Sequence, residues 1–260
     1  MRIITLLTDF GLQDSYVGVM KGVILKINPD VRIVDITHAV SPQDIREAAF
    51  IVKDYYPYFE AGTVHVAVVD PTVGSGRRPL ILVKEENFFV GPDNGVFSHL
   101  IKDGPEVYEI ANRAFTLREI SSTFHGRDIF APAAAHLAAG VDPSAFGPRV
   151  VDPVCLENIF TRIENDALCG EVVRFDRFGN AITNIDIHTF NDFTGNKPFR
   201  ITVGPTVFSS LSGSYYERET TCLVGSSGYI EFGYYRGSFA KAKGVGKGDP
   251  VSVKLLEAAQ

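Results

Sequence analysis

Residues 63–69, Thr-Val-His-Val-Ala-Val-Val, form a β-branched apolar run that stops at Asp70. An uninterrupted apolar strand has both faces covered, which points to a parallel sheet flanked by helices. Asp70 then falls at the carboxyl end of that strand, the edge where open α/β sheets bind ligands. Pro71, Gly74 and Gly76 turn the chain and bring Arg77 and Arg78 back towards the carboxylate. Alone, the stretch also reads as a solvated turn with an ordinary ion pair. Two other stretches shift it towards function: Thr8-Asp9-Phe10-Gly11 and Thr123-Phe124-His125-Gly126-Arg127-Asp128.

Around this strand, residues 1–150 alternate strand and helix signals. Arg2–Thr8 is an apolar run ending at Asp9. A helix follows with Asp14 or Ser15 as N-cap, apolar positions Val17, Met20, Ile24 and Ile27, and a stop at Asn28-Pro29. Val31–Ile36 is the next strand. Ser41-Pro42-Gln43-Asp44 reads as a helix start with proline at the first position, with Ile45, Ala48, Ala49 and Val52 as the buried stripe. Leu80–Val83 and Phe88–Val90 form a hairpin pair, and Gly91-Pro92-Asp93-Asn94-Gly95 a tight turn. A helix is expected over Ile129–Ala139, with His125 on the loop leading into it. The alternation predicts an α/β fold with a doubly wound, mainly parallel sheet.

The texture changes near residue 150. Residues 151–168 read as a linker, with Pro143, Pro148 and Pro153 marking the connection. From 169 to 260, short period-2 runs at Glu171–Phe175, Ile182–Ile187, Arg200–Val203, Thr221–Val224, Tyr229–Phe232 and Val251–Leu255 predict a smaller antiparallel β-barrel. A net charge of −6 argues against nucleic acid or anionic membrane as the main partner. No apolar run reaches about 18 residues, so no transmembrane helix is expected. The start shows no signal-peptide pattern. Cys155, Cys169 and Cys222 are odd in number and lack CxxC pairing, which suits a reducing cytoplasm.

Asp9-Phe10-Gly11 and His125-Gly126-Arg127-Asp128 look superficially like kinase motifs, but their order is reversed and no strand lysine precedes them. Gly244-x-Gly246-x-Gly248 runs into Asp249-Pro250 and a strand, so it is a turn rather than a dinucleotide fingerprint. His65 and His136 read as core residues, while His38 and His99 are open. No set of ligands at metal spacing is visible, so no metal is expected.

Five motifs, in order, carry a resemblance over essentially the whole chain. They are Thr8-Asp9-Phe10-Gly11-x-x-Asp14-x-Tyr16-Val17-Gly18-x-Met20-Lys21-Gly22, Val69-Asp70-Pro71-x-Val73-Gly74-x-x-Arg77-Arg78, Gly91-Pro92-Asp93-Asn94-Gly95, Thr123-Phe124-His125-Gly126-Arg127-Asp128 and Phe178-Gly179-Asn180-x-x-Thr183-Asn184. Together they resemble the S-adenosyl-L-methionine (SAM) hydroxide adenosyltransferases, adenosine-forming SAM hydrolases related to the bacterial fluorinase and chlorinase.

The resemblance implies a larger α/β domain and a smaller barrel, assembled as a homotrimer with SAM between neighbouring subunits. It implies that Asp70, Arg77 and His125 surround the attacking water and that Asp9 holds the ribose hydroxyls, with Asp14 and Tyr16 in the same binding motif. It also places Asp176 on the methionine ammonium, Phe178 and Asn180 on the adenine, and Ser226 and Ser227 near the methionine carboxylate. The halogenases, by the same resemblance, carry tyrosines at positions 70 and 125 and a serine at 126, where this chain has Asp70, His125 and Gly126. Tyr234-Tyr235-Arg236 and the short Ser214–Thr221 segment depart from the family pattern, and either Tyr215 or Tyr216 is available to stack on the base. The implied reaction releases adenosine and L-methionine without a cofactor, because the sulfonium is already a good leaving group. Asp70 or His125 could accept the proton. Two rivals remain, a halide-using enzyme of the same fold and a SAM- or adenosine-binding protein with incidental turnover.

Overall fold

The computed structural model describes residues 2–102 and 104–256. They form two compact units, Met1–Leu156 and Glu157–Gln260.

In the first unit, β1 (Ile3–Thr8), β2 (Arg32–Thr37), β3 (Val64–Val68), β4 (Pro79–Lys84), β5 (Asn87–Pro92) and β6 (Glu106–Glu109) make one sheet of order β2-β1-β3-β5-β4-β6. The β2-β1-β3-β5 part is parallel, and β4 and β6 add an antiparallel edge. The β4–β5 hairpin closes through Glu85 and Glu86, whose φ angles of 49° and 62° give the turn sense that suits twisted strands. Side chains alternate across the sheet. Ile4, Leu6, Val64, Val66 and Val68 face α1 (Tyr16–Ile27) and α4 (Ala131–Ala138), whereas Leu7, Ala67 and Val69 face α2 (Ile45–Tyr55). The apolar 63–69 run is therefore covered on both faces, as a parallel strand requires, and the sheet is doubly wound.

Three local expectations are corrected. The second helix does not start at Ser41-Pro42, because Gln43 takes a left-handed φ of 66° that no helix tolerates. Asp44 caps α2 instead, its carboxylate accepting from Glu47 N at 2.9 Å. In the 91–95 motif, Gly91 and Pro92 still belong to β5. Lastly, α4 begins at Ala131, and Gly126–Phe130 before it form a single π turn, so the His125 motif is itself coiled. Pro132 explains part of this: it has no N–H to give the Asp128 carbonyl, which accepts from Leu117 N at 2.8 Å instead.

The second unit contains β7 (Arg162–Glu164), β8 (Ala167–Phe175), β9 (Ala181–Asp186), α5 (Ile187–Thr194), β10 (Phe199–Val203), β11 (Thr206–Phe208), β12 (Thr220–Val224), β13 (Tyr229–Tyr234), α6 (Phe239–Lys243) and β14 (Pro250–Leu255). The strands follow an antiparallel path β11-β10-β14-β8-β9-β13-β12, with β7 on β8, and curl into a nearly closed barrel. Leu168, Val172, Ala181, Ile201, Cys222, Ile230, Phe232 and Val253 fill its interior. The period-2 reading lacks α5 and α6. α5 is rich in poor helix formers and α6 is only five residues long, and both are capped: Asp186 accepts from His188 N and Thr189 N, and Ser238 from Lys241 N. Among the described residues no helix is long and apolar enough to cross a membrane.

Asp44→Ala removes the cap of α2 and should lower stability by about 1 kcal/mol, read as a shift of the urea midpoint with an unchanged slope. A shift indistinguishable from zero would show that the cap does not hold this helix start.

Candidate active site

Asp70 sits two residues beyond the end of β3, and Asn94 holds the strand end by donating to Val69 O at 2.9 Å. The turn that follows is packed tightly against a second segment. Gly74 has φ of 79°, and a Cβ there would lie 2.3 Å from the Ser122 carbonyl oxygen. Only glycine satisfies both constraints. This close approach brings the Asp70 turn beside the segment that carries His125.

Arg77 joins the two. Its Nε donates to Asp70 Oδ2 at 2.8 Å, and its Nη2 reaches both the same oxygen and His125 Nδ1, the latter at 2.7 Å. The Arg77 and Asp70 side chains are only 6% and 4% exposed, and Phe130 lies beneath the guanidinium, 5.2 Å from its ring centroid. Arginine can only donate, so Nδ1 of His125 is the acceptor, and a neutral ring carries its proton on Nε2. Burial, and then the adjacent Arg77 charge, hold the His125 pKa below its ordinary value; Asp70 and Asp128 pull less strongly the other way. The imidazole is therefore neutral near pH 7. Two polar groups remain underused among the described residues: Arg77 Nη1 is buried without a partner there, and Asp70 Oδ1 accepts a long 3.3 Å bond from Thr72.

Arg78 does not join this group. It turns away to Asp93, with Nε to Oδ2 at 2.8 Å, and to Asp152, with Nη1 to Oδ1 at 2.8 Å. Its role is to tie β4 to the segment after residue 150. Sequence reasoning passed over Arg127 and Asp128 as positioning groups. Asp128 is fully buried, binds Arg127 Nε at 2.6 Å, and accepts from Ser121 N at 2.8 Å, which fixes the chain on either side of His125.

Asp9 follows β1, which runs parallel to β3 with Thr8 beside Val68, so both carboxylates lie at one edge of the sheet. Its Oδ2 accepts from Gln43 N at 2.8 Å, the same residue whose left-handed φ starts α2 late. Phe10, Tyr16 and Phe124 pack edge to face, with centroids 5.2–5.9 Å apart. Gly126 lies among them: a Cβ there would come 3.2 Å from Met20 Sδ and 3.4 Å from the Phe10 ring. Asp14 is exposed, outside this cluster. His38 is held by Thr8, Oγ1 to Nδ1 at 2.8 Å, and His65 by Thr5 at 2.9 Å; burial pushes His65 down to about 3. His99 packs edge to face against Phe50, with ring centroids 4.5 Å apart.

In the second unit, Asp176 organises the turn after β8. Its carboxylate accepts from Phe178 N and Asn180 N at 2.9 Å each, and from Asn180 Nδ2 at 2.8 Å. Phe178 projects with 77% exposure, while Asn180 is buried. Both line a hollow of about 540 Å³ with Tyr215, Tyr234, Tyr235, Arg236, Gly237 and Ser238. Of the two tyrosines left open by the sequence, Tyr215 lines this hollow, and Tyr216 is exposed outside it. Tyr235 and Arg236 were not anticipated as lining. The one signal was their departure from the family pattern, and Arg236 also takes a left-handed φ of 57°. Ser226 and Ser227 are exposed on the β12–β13 turn, closed by Gly225 N to Tyr229 O at 2.8 Å. Among the described residues no group of three or more His, Cys, Asp or Glu side chains is arranged to hold a metal ion.

A parallel-sheet unit with a carboxylate, a guanidinium and an imidazole joined at its strand ends, followed by a barrel with an aromatic hollow, defines a two-domain α/β-plus-barrel protein. The chain belongs to the SAM hydroxide adenosyltransferase family: residues 4–147 match its N-terminal domain and residues 170–252 its C-terminal domain. It is 38% identical, over 96% of this chain and 99% of the other, to a Thermus thermophilus protein named (R)-S-adenosyl-L-methionine hydrolase. A Thermotoga maritima crystal structure of an uncharacterized conserved protein matches with a TM-score of 0.88 and 34% identity, covering 98% of this chain and all of that one. A Nocardia brasiliensis fluorinase is a more distant relative, 27% identical over 97% of each chain.

The His125 environment makes a spectroscopic prediction. Its imidazole should titrate below the ordinary midpoint of about 6.5, followed by NMR of the ring protons. In Arg77→Gln the midpoint should rise, because one of the two depressing causes is gone while Asp70 stays. A midpoint that stays put or falls would break the assigned contact between the guanidinium and the ring.

Proposed function

We propose that the protein hydrolyses SAM to adenosine and L-methionine by in-line attack of one water on the ribose C5′. The observation that carries the reading is the buried Asp70–Arg77–His125 group, which leaves one guanidinium N–H and one carboxylate oxygen without strong partners. A small polar nucleophile fits that arrangement: it can accept from Arg77 Nη1 and donate to Asp70 Oδ1. The water oxygen forms the new bond to C5′ as the C5′–S bond breaks, and the bond pair stays on sulfur, giving methionine as a thioether. The water proton passes to Asp70. His125 offers Nε2–H rather than a lone pair, so its part is to donate and orient.

The sulfonium supplies the leaving group, so the reading requires no resident cofactor. Orientation of a water in such a pocket is worth roughly 7–11 kcal/mol of the barrier by effective-molarity arguments. The names of the relatives support the substrate, and Asp70, His125 and Gly126 stand where the halogenase resemblance implies tyrosine, tyrosine and serine. In the same reading Asp9 takes the ribose hydroxyls, Phe178, Asn180 and Tyr215 take the adenine, and Ser226 and Ser227 lie near the methionine carboxylate. The active species is a homotrimer with sites shared between subunits, working in the cytoplasm, where free thiols such as Cys155 persist.

Chromatography of SAM incubations should show adenosine and methionine in equal amounts, without dependence on chloride or fluoride. Asp70→Ala and His125→Ala should each lower turnover by about 10²-fold or more while changing SAM affinity only a few-fold. Near-parental turnover in either variant would remove that residue from the reaction. A halide-dependent 5′-halo-5′-deoxyadenosine product would replace the hydrolase reading altogether.

Site sharing has its own test. His125→Ala and Asn180→Ala chains, each inactive alone, are denatured and refolded together. Shared sites regain part of the parental activity, because some interfaces combine two intact halves. No recovery, in a mixture shown to contain hetero-oligomers, would mean that each site forms within one chain.

A further inference from the structure

Glu231 lies in the second unit, outside the groups assigned above. It is on β13, paired with Leu223 of β12 and Ile182 of β9, and Ile182 in turn pairs with Arg174 of β8. The next row, Cys222–Phe232–Ala181–Phe175, faces the barrel interior. Glu231 therefore projects from the opposite face. It is nevertheless only 6% exposed, between two buried apolar neighbours, and its Oε1 is buried without a hydrogen-bond partner among the described residues. The other oxygen is pressed against the start of the Ser226–Ser227 turn: a Cβ on Gly225 would lie 1.9 Å from Glu231 Oε2. Glycine at 225 is what leaves room for this carboxylate.

A buried carboxylate with an unused oxygen is costly unless a partner arrives. The charged groups that face it are Asp176, just beyond β8, and Arg174 on β8. Burial first, and Asp176 second, push Glu231 up to about 7, with Arg174 pulling the other way. Near neutral pH the free site is thus partly protonated, and a cation would displace that proton.

We propose that Glu231 is a ligand-binding residue whose carboxylate joins that of Asp176 in one seat for a primary ammonium, which, resting on the SAM reading above, is the α-ammonium of SAM. Asp176 alone is poorly equipped for the task, because its oxygens already accept from Phe178 N, Asn180 N and Asn180 Nδ2. Glu231 supplies the unoccupied acceptor. A cation between the two carboxylates relieves their repulsion and releases the proton from Glu231, so SAM binds more tightly as pH rises from 6 to 8.

The test compares SAM with adenosine, which lacks the amine. Glu231→Gln keeps the shape and removes the charge. It should raise the SAM dissociation constant roughly tenfold or more, the size of one charge-assisted hydrogen bond, flatten its pH dependence, and leave adenosine affinity within about twofold of the parent. Gly225→Ala, which displaces the carboxylate, should give the same selective loss. Equal SAM affinity in parent and Glu231→Gln, with adenosine still bound, overturns the seat alone. A parent that binds neither SAM nor adenosine overturns the hydrolase reading and the seat with it. Should the variants fold poorly, calorimetry on the parent decides. At pH 6.5, in buffers of different ionisation enthalpy, SAM binding should release protons and adenosine binding none, and SAM binding without proton release overturns the proposal.

Discussion

The candidate site of the first unit is organised around one buried ion pair. Arg77 and Asp70 come from one turn, yet their contact also reaches His125, 48 residues further along the chain. Taking both charges out of water is expensive, and such pairs add little net stability over apolar residues of similar size. Breaking one is worse, at about 3–5 kcal/mol, because the remaining charge is stranded. The pair is therefore better understood as a device for holding charge in a fixed place than as a source of stability. Gly74 against Ser122, Phe130 beneath the guanidinium, and Asp128 behind His125 all serve that placement.

Much of the fold was legible in the sequence, for reasons that differ between the two units. The 63–69 run could only be a strand covered on both faces, and the apolar stripes of α1 and α2 had helical spacing, so the doubly wound sheet followed from periodicity. The barrel strands were legible because period-2 runs between glycines leave few alternatives. What escaped were elements held by single polar contacts. The short α5 depends on the Asp186 cap, α2 starts late because of the Gln43 backbone, and the π turn over the His125 motif reflects a proline that follows it. Periodicity carries no trace of these.

The site was legible in part. The Asp70 turn pointed at a strand end, and the family resemblance singled out Arg77 and His125, which the fold joins. The spacing of Arg77 and Arg78 suggested two arginines on one carboxylate, but the two lie just before β4 and their side chains diverge: Arg77 serves Asp70, and Arg78 serves Asp93 and Asp152. Glu231 gave no signal, since a glutamate in an alternating strand reads as the solvent face. Only the burial of its neighbours Leu223 and Ile182 shows that this face is not solvent.

Pro132 has a mechanical consequence. By withholding an N–H from the Asp128 carbonyl, it frees that oxygen for Leu117 N, while the Asp128 side chain takes Ser121 N. One residue thus clasps the preceding segment at two points, along both main chain and side chain. Residues 117–128 are fastened to the head of α4 as a closed loop of covalent and hydrogen bonds, with His125 inside the loop. His125 is carried by the helix itself, so the imidazole shares the rigidity of the core beneath α4 and not the freedom of a surface connection.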